Sequence, residues 1–214
     1  TAAGAFSLSD AAKLLKLRGE SMQRAVPVGI GSMAAILGLS FEEVDAIAQD
    51  ASEGGEEVEA ANDNSIGQVV VSGHKGAVLR AIDLASEQGA KRAVALPVSA
   101  PFHSKLMAPA AAEMADALGE ATINTPIVPV VTNVTANAVS EPATIRKLLV
   151  DQITGMVRWR ESVLWMGEHG VDEMVELGTG KVLCGLVRRI DKEIKTSAAG
   201  TPNEIEALIE ALKG

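Results

Sequence analysis

Gln68-Val69-Val70-Val71-Ser72-Gly73-His74-Lys75-Gly76-Ala77-Val78-Leu79-Arg80-Ala81-Ile82 passes from a β-branched run into a helical spacing with almost no loop between them. Valines 69–71, flanked by polar Gln68 and Ser72, read as a strand, because β-branched side chains pack well on a pleated surface. Over residues 75–88, Val78, Leu79, Ile82 and Leu84 lie on one side of a helix. The same alternation continues outward. Upstream, residues 32–38 form a small-residue apolar strand, residues 40–51 a helix capped by Ser40, with Phe41, Val44, Ile47 and Ala48 inward, and residues 58–61 a short strand. Glu53-Gly-Gly-Glu-Glu57 reads as a solvated loop, and residues 92–98 as a strand after the second helix.

The resulting β-α-β-β-α-β order is that of a ferredoxin-like split βαβ unit. Its flanks have a different character. Residues 7–24 form an amphipathic helix that Ser7 or Ser9 can cap, with Leu8, Ala11, Leu14, Leu15 and Leu17 opposite Lys13, Lys16 and Glu20. After residue 103 a helix buries Leu106, Met107, Ala111, Met114 and Leu118, and residues 127–131 form a continuous apolar run of the kind buried in a parallel sheet. Helices follow at 142–152 and from Glu161, then a strand at 174–177 and helices at 181–192 and 203–212. The expected architecture is α/β, with a ferredoxin-like small subdomain, residues 28–100, inserted into a large domain built from residues 1–27 and 101–214.

Composition removes several classes of function. A net charge of −9 disfavours a phosphate backbone as partner, and 2% aromatic residues leave few platforms for stacking bases, so no nucleic acid is expected. The single cysteine, Cys184, excludes an internal disulfide and a cysteine-rich metal site, and its place among Val182, Leu183 and Leu186 reads as buried and inert. No apolar run reaches membrane-spanning length and no secretory leader opens the chain, so a soluble, cytoplasmic protein is expected.

Chemistry concentrates at Leu96-Pro97-Val98-Ser99-Ala100-Pro101-Phe102-His103. A strand ends there in a proline-stiffened turn, which displays an imidazole at the tip of a strand-to-helix junction. This stretch resembles the histidine motif of malonyl-CoA:acyl-carrier-protein transacylases and of polyketide synthase acyltransferase domains. Leu17-Arg18-Gly19-Glu20-Ser21-Met22-Gln23 resembles that family's arginine-bearing helix, and Asn62-Asp63-Asn64-Ser65-Ile66-Gly67-Gln68-Val69-Val70 its substrate-side loop. Leu177-Gly178-Thr179-Gly180-Lys181-Val182-Leu183 resembles its glycine-rich turn. The matches run in the family's order over nearly the whole chain.

The resemblance implies a parallel-sheet, hydrolase-like acyltransferase domain that moves a malonyl group from CoA to the phosphopantetheine thiol of acyl carrier protein through a serine ester, in fatty acid biosynthesis. Malonyl-CoA and the carrier are the implied partners, with no metal or bound cofactor. In the family, His103 would be the general base, with its tautomer fixed by the main-chain carbonyl at Gln152. Arg18 would hold the malonyl carboxylate through a two-bond fork. Phe102 would narrow the acyl site against branched groups, Gln68, Asn62 and Asn64 would offer amides, and Met22 would line the wall. No serine here sits in a G-x-S-x-G elbow, so the nucleophile is expected upstream of these 214 residues.

Gly178-Thr179-Gly180-Lys181 lacks the spacing of a P-loop and reads as a structural turn. Arg188, Arg189, Lys192 and Lys195 form the densest basic cluster, suited to CoA phosphates or an acidic carrier, and equally to neutralising a helix C-terminus. Two other readings stay open from sequence: a non-catalytic ferredoxin-like ligand-binding or regulatory module, and a related serine hydrolase releasing acid to water.

Overall fold

The computed structural model describes residues 1–213. Two compact units divide the chain at Trp159/Arg160. The first opens with helix α1 (Leu8–Arg24), whose N-terminus is capped where the Ser7 hydroxyl accepts from the Asp10 amide at 3.0 Å. A four-stranded antiparallel sheet follows, made of β1 (Gly31–Leu37), β2 (Val58–Ser65), β3 (Gln68–His74) and β4 (Arg92–Ala95) in the spatial order β2-β3-β1-β4. Helices α2 (Phe41–Ala51) and α3 (Lys75–Glu87) supply the crossovers. Ser40 and Glu43 form a reciprocal capping box at the start of α2.

Strand alternation separates two faces of this sheet. Ala34, Ile36, Val58, Ala60, Val69 and Val71 pack with Val44, Ile47, Val78 and Ala81 of the two helices. Met33, Ala61 and Val70 point the other way and pack with Leu96 and Phe102. A bulge at Ala61 interrupts the β2–β3 register, so that Glu59 opposes Ser72 and Asn62 opposes Val70. Residues three apart in a regular strand face opposite ways; the bulge puts Glu59 and Asn62 on one face. That outer edge of β2 is also stitched to the chain after α5 (Pro142–Thr154): the Asp63 amide donates to the Val157 carbonyl at 2.9 Å and the Val157 amide to Ala61 at 2.8 Å.

A 3₁₀ turn at Lys105–Met107 leads into α4 (Ala108–Glu120), and α1, α4 and α5 bury Met22, Met107, Met114, Leu118 and Ile153 between them. Two short strands, β5 (Val130–Val131) and β6 (Ala138–Val139), pair antiparallel. The second unit carries most of α6 (Trp159–Glu168), then β7 (Glu173–Leu177), α7 (Val182–Ile190), β8 (Lys195–Ala199) and α8 (Pro202–Lys213), with β7 and β8 parallel. Among the described residues no helix is long and apolar enough to cross a membrane.

Several boundaries differ from the sequence reading. Residues 62–65 continue β2, and only Ile66 and Gly67 form the turn, with Gly67 at φ +69°. Asp63 and Ser65 are buried polar residues, so the strand carried no apolar alternation to reveal it. The strand expected over 92–98 ends at Ala95, before Pro97. The run 127–131, read as a strand buried in a parallel sheet, yields only Val130–Val131 in an antiparallel pair, with Ile127 83% and Val128 56% exposed. Hydrophobicity alone signals burial without naming a partner, and the first residues of this run face solvent. The helix expected over 181–192 ends at Ile190, and β8, too polar to announce itself, was missed along with β6.

Candidate active site

Ala100 and Pro101 are buried, and Pro101 lies against the start of β1 so closely that a Cβ at Gly31 would stand 2.4 Å from Pro101 Cδ. The turn places His103 at φ +56°, in the left-handed region that costs a non-glycine residue about 1–3 kcal/mol. Surrounding contacts hold it there. The Ser104 hydroxyl, 1% exposed, donates to the Pro101 carbonyl at 2.7 Å, and the Lys105 amide donates to Glu59 Oε1 at 2.6 Å.

The imidazole leans on the C-terminal end of α5. Its Nδ1 lies 3.0 Å from the Gln152 carbonyl and 3.2 Å from that of Gly155. Both neighbours are acceptors only, so Nδ1 carries the proton and Nε2 presents the lone pair. Helix-end carbonyls favour a positive charge, which suits a ring that becomes imidazolium during proton transfer. Burial pushes the His103 pKa below its ordinary value, the Arg18 charge pushes it the same way, and the two carbonyls pull against both. The free ring is therefore a neutral base near pH 7.

A cavity of about 360 Å³ is lined by Arg18, Gly19, Met22, Gln23, Met33, Asn62, Phe102 and His103. Arg18 comes from α1, where burial lowers its pKa, though a guanidinium stays charged. Asn62 is turned toward the cavity by the bulge, and Phe102 bridges the helical cluster and the back face of the sheet. Arg18 and Gln152 also border an adjoining apolar groove of about 450 Å³ that includes Phe6, Leu14, Met114 and Leu118. Of the residues singled out in the sequence, Arg18, Met22, Asn62, Phe102 and His103 share one cavity, and Gln152 reaches His103 through its main chain. Gln68 does not line it: it begins β3 opposite Leu37 and Ser65.

A family model for the acyl transferase domain matches residues 1–209. The chain belongs to the acyl transferase domain family. A malonyl CoA-acyl carrier protein transacylase of Bacillus subtilis is 44% identical over 212 residues, covering 99% of this chain and 67% of the relative. The crystal structure of an acyl-carrier-protein S-malonyltransferase from Bartonella henselae superposes with a TM-score of 0.95 at 52% identity, over all of this chain and 68% of that one. A further structure, a malonyl-transacylase in complex with a type II PKS acyl-carrier protein, is 41% identical with a TM-score of 0.91, over 97% of this chain and 67% of that one. The chain thus spans about two thirds of the length of these relatives.

In this acyl transferase domain, Gly155, Met33, Gln23 and Glu59 escaped the sequence reading. A main-chain acceptor such as Gly155 leaves no residue-type signal; the one cue was a glycine just past a helix. In the second unit the glycine-rich turn at 178–180 opens α7, and the Glu176 carboxylate accepts from the Cys184 amide at 2.9 Å. That helix start already holds an internal anion, which agrees with a structural turn. Cys184 is 5% exposed, its Sγ donating to the Ser197 carbonyl. Among the described residues no group of three or more His, Cys, Asp or Glu side chains is placed to hold a metal ion.

Proposed function

We propose that this chain carries the base and the substrate-carboxylate receptor of a malonyl-CoA:acyl-carrier-protein transacylase acting in the cytoplasm in fatty acid biosynthesis. The observation that carries this reading is an imidazole whose Nδ1 faces two main-chain carbonyls, on the same small cavity as a half-buried guanidinium.

His103 Nε2 takes the proton of a serine hydroxyl, whose oxygen attacks the malonyl thioester carbonyl. The C–S bond breaks, the proton passes to the departing CoA sulfur, and a malonyl-serine ester remains. The carrier's phosphopantetheine thiol then gives its proton to His103, its sulfur attacks the ester carbonyl, the C–O bond to serine breaks, and the proton returns to the serine oxygen, leaving malonyl on the carrier's sulfur. The serine is assigned to a segment outside these 214 residues, since none of their serines occupies a G-x-S-x-G elbow. Arg18 forks onto the free malonyl carboxylate, Asn62 offers an amide, and Phe102 with Met22 walls the acyl group; Gln68, at the start of β3, stands outside the lining of this cavity. CoA and the carrier arm enter as substrates, with no cofactor.

Architecturally, we read residues 28–100 as a ferredoxin-like subdomain set into a larger α/β domain of residues 1–27 and 101–214. Its strand order and antiparallel pairing support this. The exposed cluster Arg188, Arg189, Lys192 and Lys195 is proposed to meet the acidic carrier or CoA phosphates. The regulatory-module and hydrolase readings are not favoured, because transacylases match nearly the whole chain.

Joined to a family segment bearing the serine elbow, the chain is expected to transfer malonyl from CoA to holo acyl carrier protein, and His103→Ala to lower the rate roughly 100- to 10,000-fold, the usual share of general acid–base catalysis. An active fusion indifferent to His103→Ala would refute the reading.

A further inference from the structure

We propose that Glu59 is a positioning residue for His103, acting through one hydrogen bond from the Lys105 amide that keeps the strained His103 turn closed. The inference rests on the reading of His103 as the proton-transfer group. Three independent features of the fold converge on it.

First, the turn needs holding. His103 lies at φ +56°, and the next residue returns to extended backbone, Ser104 at φ −127° and ψ 164°. Without an external tie, such a turn relaxes toward negative φ and swings the ring off the α5 carbonyls. Second, the Lys105 amide starts a 3₁₀ turn and has no partner within it. Glu59, from a strand 46 residues away, accepts that amide at 2.6 Å. Third, the bulge at Ala61 puts Glu59 on the sheet face that carries Asn62 and Met33 toward the cavity. Strand β2 thereby contributes one residue to the cavity wall and one to the histidine turn, while its edge bonds to Val157, two residues beyond Gly155. The β2 bulge thus fixes both the ring's backbone and the chain bearing the carbonyls it points at.

The charged groups around the turn are Arg18 from α1, Glu59 and Glu57 from β2 and the preceding loop, and Lys105 itself, whose ammonium lies 3.8 Å from the exposed Glu57 carboxylate. Glu59 does not act on His103 as a charge; an uncharged acceptor at the same place serves equally.

The test is nitrogen and proton NMR of the His103 ring in the 214-residue chain, reading tautomer and Nδ1–H exchange in wild type, Glu59→Gln, Glu59→Ala, Lys105→Ala and Lys105→Pro. Proline fits the first position of a helical turn and deletes only the N–H. Glu59→Gln and Lys105→Ala keep acceptor and donor, and are expected to match wild type within about twofold. Glu59→Ala and Lys105→Pro are expected to speed Nδ1–H exchange roughly tenfold and to populate the Nε2–H tautomer. Unchanged ring behaviour in Lys105→Pro overturns the proposal, and so does a Glu59→Gln or Lys105→Ala spectrum shifted away from wild type. If Glu59→Ala fails to fold, Lys105→Pro decides. The readout needs no substrate, so a failure of acyl transfer and a failure of this inference are separate results.

Discussion

Arg18, proposed above to receive the malonyl carboxylate, would select substrate through its geometry rather than charge alone. It stands half-buried on the cavity that His103 lines, where a planar fork can hold both oxygens of a free carboxylate. Arg18→Lys keeps the cation and loses the second parallel bond, and a bond to a charged group is worth about 1.5–3 kcal/mol. Malonyl preference over acetyl is expected to fall roughly 10- to 100-fold, measured by competing the two thioesters in the elbow-bearing fusion. Undiminished preference would remove Arg18 from the role. The role proposed for Phe102 would work on a smaller scale, since rejecting one added methyl is worth about 1–3 kcal/mol. Arg18 and His103 were singled out in sequence because the stretches around them, Leu17–Gln23 and Leu96–His103, resemble family motifs; residue type alone marked the histidine, at a proline-stiffened turn, and not the arginine, whose helix carries other exposed cations. The left-handed backbone of His103 and the Gly155 carbonyl were illegible, because neither property belongs to a side chain.

At the scale of elements, the decisive contacts are between backbones that approach closely. Gly31 opens β1 directly beneath Pro101. Gly31→Ala pushes a methyl into the pyrrolidine ring, and overpacking of this kind costs about 1–3 kcal/mol. Because Pro101 begins the histidine turn, the same change is expected to disturb the His103 ring resonances as well as lower the urea midpoint; a stability loss with unmoved resonances would show the turn to be independent of β1. The capping box of α2 is a contrasting case. Ser40→Ala removes its hydroxyl acceptor and is expected to cost about 1 kcal/mol, seen as a lower melting temperature with His103 undisturbed. Helices α1, α2, α3 and α4 were readable from sequence by the spacing of their apolar positions; a side-chain cap marks the start of α1 and α2 but not of α3 or α4, and in α1 the expected stripe is only partly covered, with Leu8 and Leu15 exposed. Strand β2 was readable only in its first half: its later inward positions are Asp63 and Ser65, and a bulge broke the two-residue period. The run 127–131 misled for the opposite reason, being apolar enough for a buried strand while its first residues stand open.

For the whole molecule, pH dependence follows from groups whose native pKa values lie below their unfolded ones. Burial lowers that of His103, so above about 6.5 both states hold a neutral ring and its contribution to stability is fully present. As pH falls through that value toward the native one, the unfolded chain takes up its proton first and stability drops. A wild-type urea midpoint that declines between about pH 7 and 5, with the decline flattened in His103→Gln, is the expected result; equal slopes would assign the loss elsewhere. A separate loss at lower pH belongs to Glu43, Glu141, Glu176 and Glu204, each held below the usual glutamate value by backbone N–H groups it accepts.

The Val157 bridge has one more effect at this scale. Unpaired sheet margins invite foreign strands, and β2 is such a margin. Beside the bulge, its Ala61 carbonyl and Asp63 amide are already taken by the chain's own Val157. An intruding molecule finds those bonding slots filled, so self-association by strand addition has no foothold next to the cavity, even at the high concentrations that spectroscopy requires.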